Sequence, residues 1–157
     1  RDEIEISLVR PVNPYIWLAD SPPGRILQDV GLGRPAFQVD PTVEQSEAGL
    51  SWGYVNVSEE RIDLADGDVI FVFTWETDNP DDERYQELQA FMAEDALWQT
   101  LEAVQAEQVY LVGGHWIRAQ SHLQAHLILD DLFRYLTDVE PTIPSPAKVE
   151  ETEESTE

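Results

Sequence analysis

The chain has 157 residues and a formal net charge of -23 at pH 7, from 32 acidic and 9 basic side chains. This charge repels phosphate backbones and anionic lipid surfaces, so we expect no nucleic-acid partner. Cysteine is absent, which excludes disulfides and thiolate metal ligands. The length suffices for one packed domain. No apolar run in the sequence approaches the ~20 residues that a membrane-spanning helix requires.

Strand and helix patterns alternate along the chain. Runs of alternating or continuous apolar residues predict the strands. The predicted strands cover residues 4–10, 15–18, 54–57, 69–73 and 109–112. Apolar residues at helical spacing, together with start and end signals, predict the helices. The predicted helices cover residues 22–30, 59–64, 80–92, 97–104 and 124–136.

Local signals predict several helix ends. Ser21 before Pro22 is typical of a helix start, because the hydroxyl accepts from a free N–H group and proline loses no hydrogen bond there. Gly31 is placed to end that helix in a left-handed conformation. Ser58, and then Asn79 followed by proline, predict the starts of the next two helices.

The strand at 69–73 indicates the fold class. Its sequence is Val-Ile-Phe-Val-Phe, apolar on both faces, which is typical of a central strand covered by helices on both sides. We therefore predict an α/β fold. The expected architecture is a three-layer, Rossmann-like lobe with a central, mostly parallel sheet flanked by helices.

The last helix has the clearest periodicity of the chain. Its predicted buried stripe follows three-and-four spacing and consists of Ala125, Ile128, Leu129, Leu132, Phe133 and Leu136. The polar residues between them are expected to face water, namely Gln124, Asp130, Asp131 and Arg134.

Two segments lack this apolar periodicity. Residues 40–50 are polar and predict an exposed loop. From Glu140 onwards the chain is rich in proline and glutamate, which predicts a disordered acidic tail over 140–157. We therefore expect one α/β lobe over residues 1–139, followed by that tail.

Motifs for enzyme catalysis are absent from the sequence. There is no Gly-x-Gly-x-x-Gly turn after a strand, no phosphate-binding Gly-x-x-x-x-Gly-Lys loop and no Gly-x-Ser-x-Gly elbow. His122 and His126 share the spacing of a zinc-protease helix, but Leu123 stands where that motif requires glutamate. We predict no catalytic residue, no metal ligand, no cofactor and no enzymatic activity.

Arginine and tryptophan side chains fall where predicted strands give way to loops. Arg10 and Trp75 follow two of the strands, while Trp116 and Arg118 follow the last one. Ligands of open α/β sheets bind at this edge. Aromatic faces suit a bulky ligand, and arginine suits its oxygen atoms. Alternatively, these tryptophans cap the core and these arginines pair with the surplus carboxylates.

The ordered pattern resembles the C-terminal lobe of siderophore-type periplasmic substrate-binding proteins of ABC importers, the class that takes ferric siderophores and vitamin B12. The segments that carry the resemblance are SLVRP at 7–11, GRILQDVGL at 24–32 with RP at 34–35, VSEER at 57–61 ahead of ADGDVIF at 65–71, LWQTLEAV at 97–104 with VY at 109–110, and ILDDL at 128–132 with YL at 135–136. The segment 113–122 keeps an aromatic residue but lacks the family's glycine-rich turn into the last helix.

This resemblance implies a two-lobe protein with its ligand held between the lobes. The chain would supply the second lobe, and the N-terminal lobe, the linker helix and the leader would be missing from it. The resemblance implies delivery of a ferric siderophore to an ABC permease, in the periplasm or at the outer face of the cytoplasmic membrane. The implied ligand-binding residues are Arg10, Trp17, Trp75, Trp116 and Arg118. Glu60 matches the family's acidic residue that docks on the permease.

Other interpretations remain open from the sequence. A corrinoid or haem could occupy the same cleft. A truncated enzyme domain of the metal-cluster assembly type has the same kind of sheet but requires cysteine and histidine ligands. The acidic surface also fits a non-catalytic interaction domain that binds a basic partner.

Overall fold

The computed structural model describes residues 3–41, 53–73 and 79–137. The five strands are β1 Ile6–Arg10, β2 Tyr15–Trp17, β3 Tyr54–Asn56, β4 Val69–Phe73 and β5 Val109–Val112. The α-helices are α1 Pro22–Asp29, α2 Ala36–Val39, α3 Glu83–Glu94, α4 Glu102–Gln105 and α5 His122–Leu136. Two 3₁₀ segments cover Glu59–Ala65 and Trp98–Thr100.

The strands form one sheet in the order β3-β2-β1-β4-β5. Strands β1, β4 and β5 are parallel neighbours, and β2 runs antiparallel to both β1 and β3. Four of the five strands therefore point the same way. The carboxyl ends of β1, β4 and β5 meet at one edge, which we call the carboxyl edge. The prediction of a mostly parallel sheet is confirmed.

Side chains of alternate residues build a core on each face of the sheet. Ile6 and Leu8 of β1 pack with Leu27 of α1 and Ile128 of α5. The neighbouring Val9 packs into the second core on the opposite face. That second core receives Ile62, Leu88, Met92 and Trp98 from the 3₁₀ segments and α3. Strand β4 is buried along its whole length. The structure thus has the three layers that the sequence predicted.

The turn before β4 holds distant parts of the chain together. The carboxylate of Asp66 accepts hydrogen bonds from the backbone N–H groups of Glu102, at 2.7 Å, and Ala103, at 3.2 Å. It thereby caps the first turn of α4. Asp68 accepts from the backbone N–H of Glu5 at 2.8 Å. No local pattern in the sequence indicates these long-range contacts.

Helix ends follow the predicted signals in part. Ser21 caps α1 by accepting from the N–H of Gly24 at 3.1 Å, and Gly31 has a left-handed φ of 82°. The start predicted at Asn79 is three residues early, because Asp82 caps α3 through the N–H of Arg84 at 2.9 Å. The side chain of Ser58 makes no capping hydrogen bond to the 3₁₀ segment that follows it.

The predicted faces of α5 are wrong at two positions. Phe133, expected in the core, is 49% exposed, whereas Asp131, expected in water, is only 8% exposed. The predicted polar loop at 40–50 lies outside the described residues apart from its first two positions, and the predicted acidic tail at 140–157 lies wholly outside them. Among the described residues, no helix has the length and apolar character needed to span a membrane.

The first turn of α1 lies directly against the chain that leaves β2. A Cβ atom at Gly24 would stand 2.3 Å from the backbone oxygen of Leu18 and 2.7 Å from that of Ala19. Backbone atoms cannot yield as a flexible side chain does. We expect Gly24→Ala to lower the free energy of unfolding by about 1–3 kcal/mol, the usual cost of overpacking, as measured by urea denaturation.

A matched control is Gly31→Asn. Gly31 is exposed and a Cβ atom there meets nothing within 4 Å, while asparagine tolerates its positive φ. This variant should change the free energy of unfolding by less than about 0.5 kcal/mol. Equal stability of the two variants would contradict the steric argument.

Candidate functional site

Aromatic side chains form a row on the α5-facing side of the sheet. Trp17 and Tyr54 occupy paired positions on β2 and β3, and their ring centroids lie 5.2 Å apart. Tyr15 meets the edge of Tyr54 at 5.3 Å, while Trp17 meets Phe73 of β4 at 5.6 Å. We call these four residues the aromatic row. The ring contacts of this row reach from β3 over β2 to β4.

Arg10 lies at one end of the aromatic row. It is the last residue of β1 and pairs with Tyr15 across the strands. Its guanidinium carbon is 5.6 Å from the centroid of the Tyr15 ring, a cation–π arrangement. The side chain of Arg10 is half-buried and lies beside the aromatic row, at the carboxyl edge of the sheet.

The loop after β5 and the start of α5 face Trp17 and Tyr54 of the aromatic row across an open cleft of about 610 Å³. The residues that line the cleft are Trp17, Tyr54, Ile117, Arg118, Gln120, Ser121 and Gln124. One wall is therefore aromatic and the other carries amide, hydroxyl and guanidinium donors. Small-molecule sites combine apolar walls with a few polar groups in this way.

Arg118 provides the positive charge in the cleft wall. Its side chain is exposed, and within the parts of the chain that the structure describes its guanidinium has no ion-pair or hydrogen-bond partner. The alternative that surplus carboxylates pair with this arginine finds no support among the described residues. Arginine presents several donors in a planar fork, which suits carboxylate, catecholate or hydroxamate oxygen.

The polar wall is braced by hydrogen bonds at the start of α5. The hydroxyl of Ser121 accepts from the N–H of Gln124 at 3.2 Å, and so caps the helix. The side-chain oxygen of Gln124 in turn accepts from the N–H of Gln120 at 3.1 Å. These reciprocal bonds fix the entry of the loop into α5.

Trp17 is fixed from behind by a buried polar cluster. Arg34 is 6% exposed and donates through Nη2 to the backbone oxygen of Trp17 and, at 2.5 Å, to Oε1 of Gln38. Gln38 donates from Nε2 to the hydroxyl of Ser7 at 2.6 Å. Burial lowers the pKa of Arg34 to about 9, so its guanidinium remains charged at neutral pH. A buried charge thus supports the end of β2.

The other predicted ligand residues lie in different surroundings. Trp116 is 1% exposed, stacks on Phe71 with centroids 4.9 Å apart and does not line the cleft. Trp75 lies outside the described residues. The structure thus brings together Trp17 and Arg118, with Arg10 at the far end of the aromatic row. The ligand-binding roles of all five residues stay predictions.

Glu60 lies away from the cleft. It is exposed in the first turn of the 3₁₀ segment Glu59–Ala65, which packs over the opposite face of the sheet. Its neighbour Glu59 lines a small cavity with Pro11 and Pro14 of the β1–β2 turn. Glu60 therefore lies near the carboxyl edge that also carries Arg10.

Sequence reasoning missed several residues of the cleft, above all Tyr54, and it missed Tyr15 of the aromatic row. One signal was available for these two. Tyr15 and Trp17 are two residues apart on one strand, so their side chains share a face, and a paired strand brings a third aromatic residue beside them. Gln120 and Gln124 gave no signal, because polar residues at a helix start are common on any surface.

A second depression, of about 760 Å³, lies at the amino end of β1. Glu3, Glu5 and the segment 31–34 line it, and it contains no aromatic residue. Its carboxylates disfavour an anionic ligand. Among the described residues there is no group of three or more histidine or acidic side chains that could hold a metal ion. The cleft beside the aromatic row is therefore the better candidate.

Open α/β sheets hold their ligands in clefts of this kind, lined by apolar walls and a few polar groups. Residues 24–114 match the family model described as Periplasmic binding protein. This match covers more than half of the chain. The chain therefore belongs to the periplasmic binding protein family.

Individual relatives agree with the family match. The chain is 31% identical over 121 residues to the probable siderophore-binding lipoprotein YfiY of Bacillus subtilis (strain 168), covering 76% of this chain and 36% of that protein. A solved siderophore periplasmic binding protein from the fuscachelin gene cluster of Thermobifida fusca is 28% identical with a TM-score of 0.63, over 86% of this chain and 44% of that one.

The structure of SirA from Staphylococcus aureus shares the fold, with a TM-score of 0.64 and 24% identity. The match covers 85% of this chain and 48% of SirA. The chain thus spans less than half the length of each of these relatives.

Proposed function

We propose that the chain is the C-terminal lobe of a two-lobe substrate-binding protein that captures a ferric siderophore for an ABC importer. The observation that carries this proposal is the cleft beside the sheet, with Trp17 and Tyr54 of the aromatic row on one wall and Arg118 on the other. Membership of the periplasmic binding protein family supports it. So does similarity to a probable siderophore-binding lipoprotein.

The chemistry of the cleft suits an iron chelate. A siderophore fills the coordination shell of its iron, so the protein need supply no metal ligand and can read the shape and charge of the chelate instead. Aromatic faces pack against the flat organic groups of such a ligand. The chain as a whole carries a charge of -23, which repels an anionic chelate. Arg118 in the cleft wall and Arg10 beside the aromatic row supply positive charges that can bind such a chelate.

The positions of the predicted ligand-binding residues give them different roles in this proposal. Arg10, Trp17 and Arg118 contact the ligand directly, with Tyr54 beside them. Trp116 acts from the core as support for the polar wall. Trp75 remains a contact residue by the sequence argument alone, two positions beyond the end of β4.

We also propose where the protein works and which partners it has. The protein works outside the cytoplasm, as the binding proteins and lipoproteins it resembles are described, and it catalyses no reaction. A second lobe closes the open side of the cleft, and an ABC permease in the membrane receives the loaded protein. The length of the relatives, of which this chain covers less than half, supports a second lobe.

Tryptophan fluorescence titration of the intact two-lobe protein tests this function. We expect a saturable change with a ferric siderophore, because the Trp17 ring lies in the cleft wall. The isolated 157-residue chain should bind the same chelate more weakly, since half of the contacts are missing. Iron-free siderophore, cobalamin and haem are the comparison ligands. A response to cobalamin or haem but to no ferric siderophore would refute the proposal.

The role of Arg118 is tested by Arg118→Gln, which removes the charge but keeps a polar side chain. Loss of a charge-assisted hydrogen bond should raise the Kd for the ferric siderophore about ten- to a hundredfold. Arg25→Gln is the matched control, because Arg25 is an exposed arginine of α1 that does not line the cleft. Equal affinities of both variants and the wild type would remove Arg118 from the site.

The role of Glu60 is tested by Glu60→Arg in the intact protein. An exposed carboxylate near the carboxyl edge suits a basic surface of the permease, so charge reversal should abolish uptake of the ferric siderophore and leave its Kd unchanged. Glu94→Arg, an exposed reversal at the far end of α3, should leave uptake normal. Normal uptake by Glu60→Arg would refute the docking role.

A further inference from the structure

A buried carboxylate lies behind the polar wall of the cleft. Asp131 is in the third turn of α5, and its Oδ2 atom is 2.8 Å from the indole Nε1 of Trp116 and 2.6 Å from Nε2 of His115. Its Oδ1 atom is 3.4 Å from Nη1 of Arg134, one turn further along α5. The loop between β5 and α5 therefore folds back under the helix and is anchored to its middle.

The hydrogen-bond roles in this cluster are set by the chemistry of the groups that meet in it. An ionised carboxylate can only accept hydrogen bonds, so His115 carries a proton on Nε2 when it donates to Asp131. The indole N–H of Trp116 is a donor in every state. Burial raises the pKa of the nearby Tyr135 phenol, and the charge of Asp131 raises it further. Asp131 thus places a negative charge in an environment with little water to screen it.

The anchored loop is the one that carries the cleft residues. From Gly113 and Gly114 the loop makes a tight turn, in which the backbone oxygen of Gly114 accepts from the N–H groups of Ile117, at 3.1 Å, and Arg118, at 3.2 Å. His115 and Trp116 lie inside this turn and point towards α5. Ile117 and Arg118 follow immediately and point into the cleft.

Two side chains of α5 anchor the loop, one near its start and one near its end. Asp131 fixes its first half through His115 and Trp116, and Gln124 fixes its second half through the N–H of Gln120. Arg118 lies between them. Hydrogen bonds to a buried charge are stronger than neutral ones, so the Asp131 anchor contributes more to the conformation of the loop.

We propose that Asp131 is a positioning residue for ligand binding: it fixes residues 113–118 so that Arg118 and Ile117 face the cleft, and it does not contact the ligand. This inference rests on the function proposed above and extends it to a residue with no place in the cleft lining. Preorganised contact residues bind more tightly, because less side-chain and loop freedom is lost on binding.

Asp131→Asn tests the proposal, because asparagine keeps the shape of the side chain and removes its charge. Asp130→Asn is the matched control, since Asp130 is the adjacent acid on α5 and makes no hydrogen bond to the described residues. The first measurement is amide hydrogen exchange in the ligand-free intact protein. We expect exchange at residues 116–118 to accelerate about tenfold or more in Asp131→Asn, with β4 and α5 unchanged. Asp130→Asn should exchange like the wild type.

The second measurement is affinity for the ferric siderophore. Asp131→Asn should raise the Kd about tenfold, while Asp130→Asn leaves it unchanged. Trp116→Phe, which keeps the ring stacked on Phe71 but lacks the N–H donor, should show both effects more weakly. This variant also keeps the test valid if Asp131→Asn does not fold.

Three other outcomes of these measurements would contradict part of the proposal. Unchanged exchange in the loop would overturn the proposal, because Asp131 would then not stabilise the loop. Faster exchange throughout the sheet would also overturn it, because Asp131 would then stabilise the whole fold and not the loop in particular. Faster loop exchange with an unchanged Kd would overturn the link to binding. If the wild type binds no ferric siderophore, the proposed function fails while the exchange data still decide whether Asp131 fixes the loop.

Discussion

Strand β4 has to be covered on both faces, and the arrangement of the rest of the lobe follows from this requirement. Its five residues are apolar, and exposure of either face would leave large side chains such as Phe71 in water. Helices α1 and α5 cover one face, and α3 with the 3₁₀ segments covers the other. Because crossover connections keep β1, β4 and β5 parallel, their carboxyl ends meet at one edge. The cleft lies beside that edge.

The sequence carried enough information to predict the fold, because each element has its own local pattern. Alternation in β1, continuous apolar residues in β4 and three-and-four spacing in α5 depend only on neighbouring residues. The order of motifs along the chain then indicated the family. Boundaries were less accurate where two signals compete, as at Asn79 and Asp82, since both residues favour a helix start and only one of them caps α3.

The candidate site was predictable only in part, because its residues are brought together by pairing and burial. The position of Trp17 beside Tyr54 depends on the register of β2 and β3, which no local pattern encodes. Asp131 was expected in water because aspartate is mostly exposed. Its burial depends on donors that lie 15 and 16 residues away in the chain. Trp116 follows a strand end, as ligand-binding residues do, yet it packs inwards because Asp131 accepts its indole N–H.

Both walls of the cleft have a buried charge behind them. Arg34 supports Trp17 on one side and Asp131 holds the loop with Arg118 on the other. The two walls are also tied through the helices, because the first turn of α1 lies against residues 18–19 without room for a side chain at Gly24, and α1 packs against α5. Under the function proposed above, a half-site held in this way loses little backbone entropy when its ligand arrives. Among the described residues, the ordering cost then falls on exposed side chains such as Arg118, so selectivity depends on how well a ligand fits walls that are already fixed.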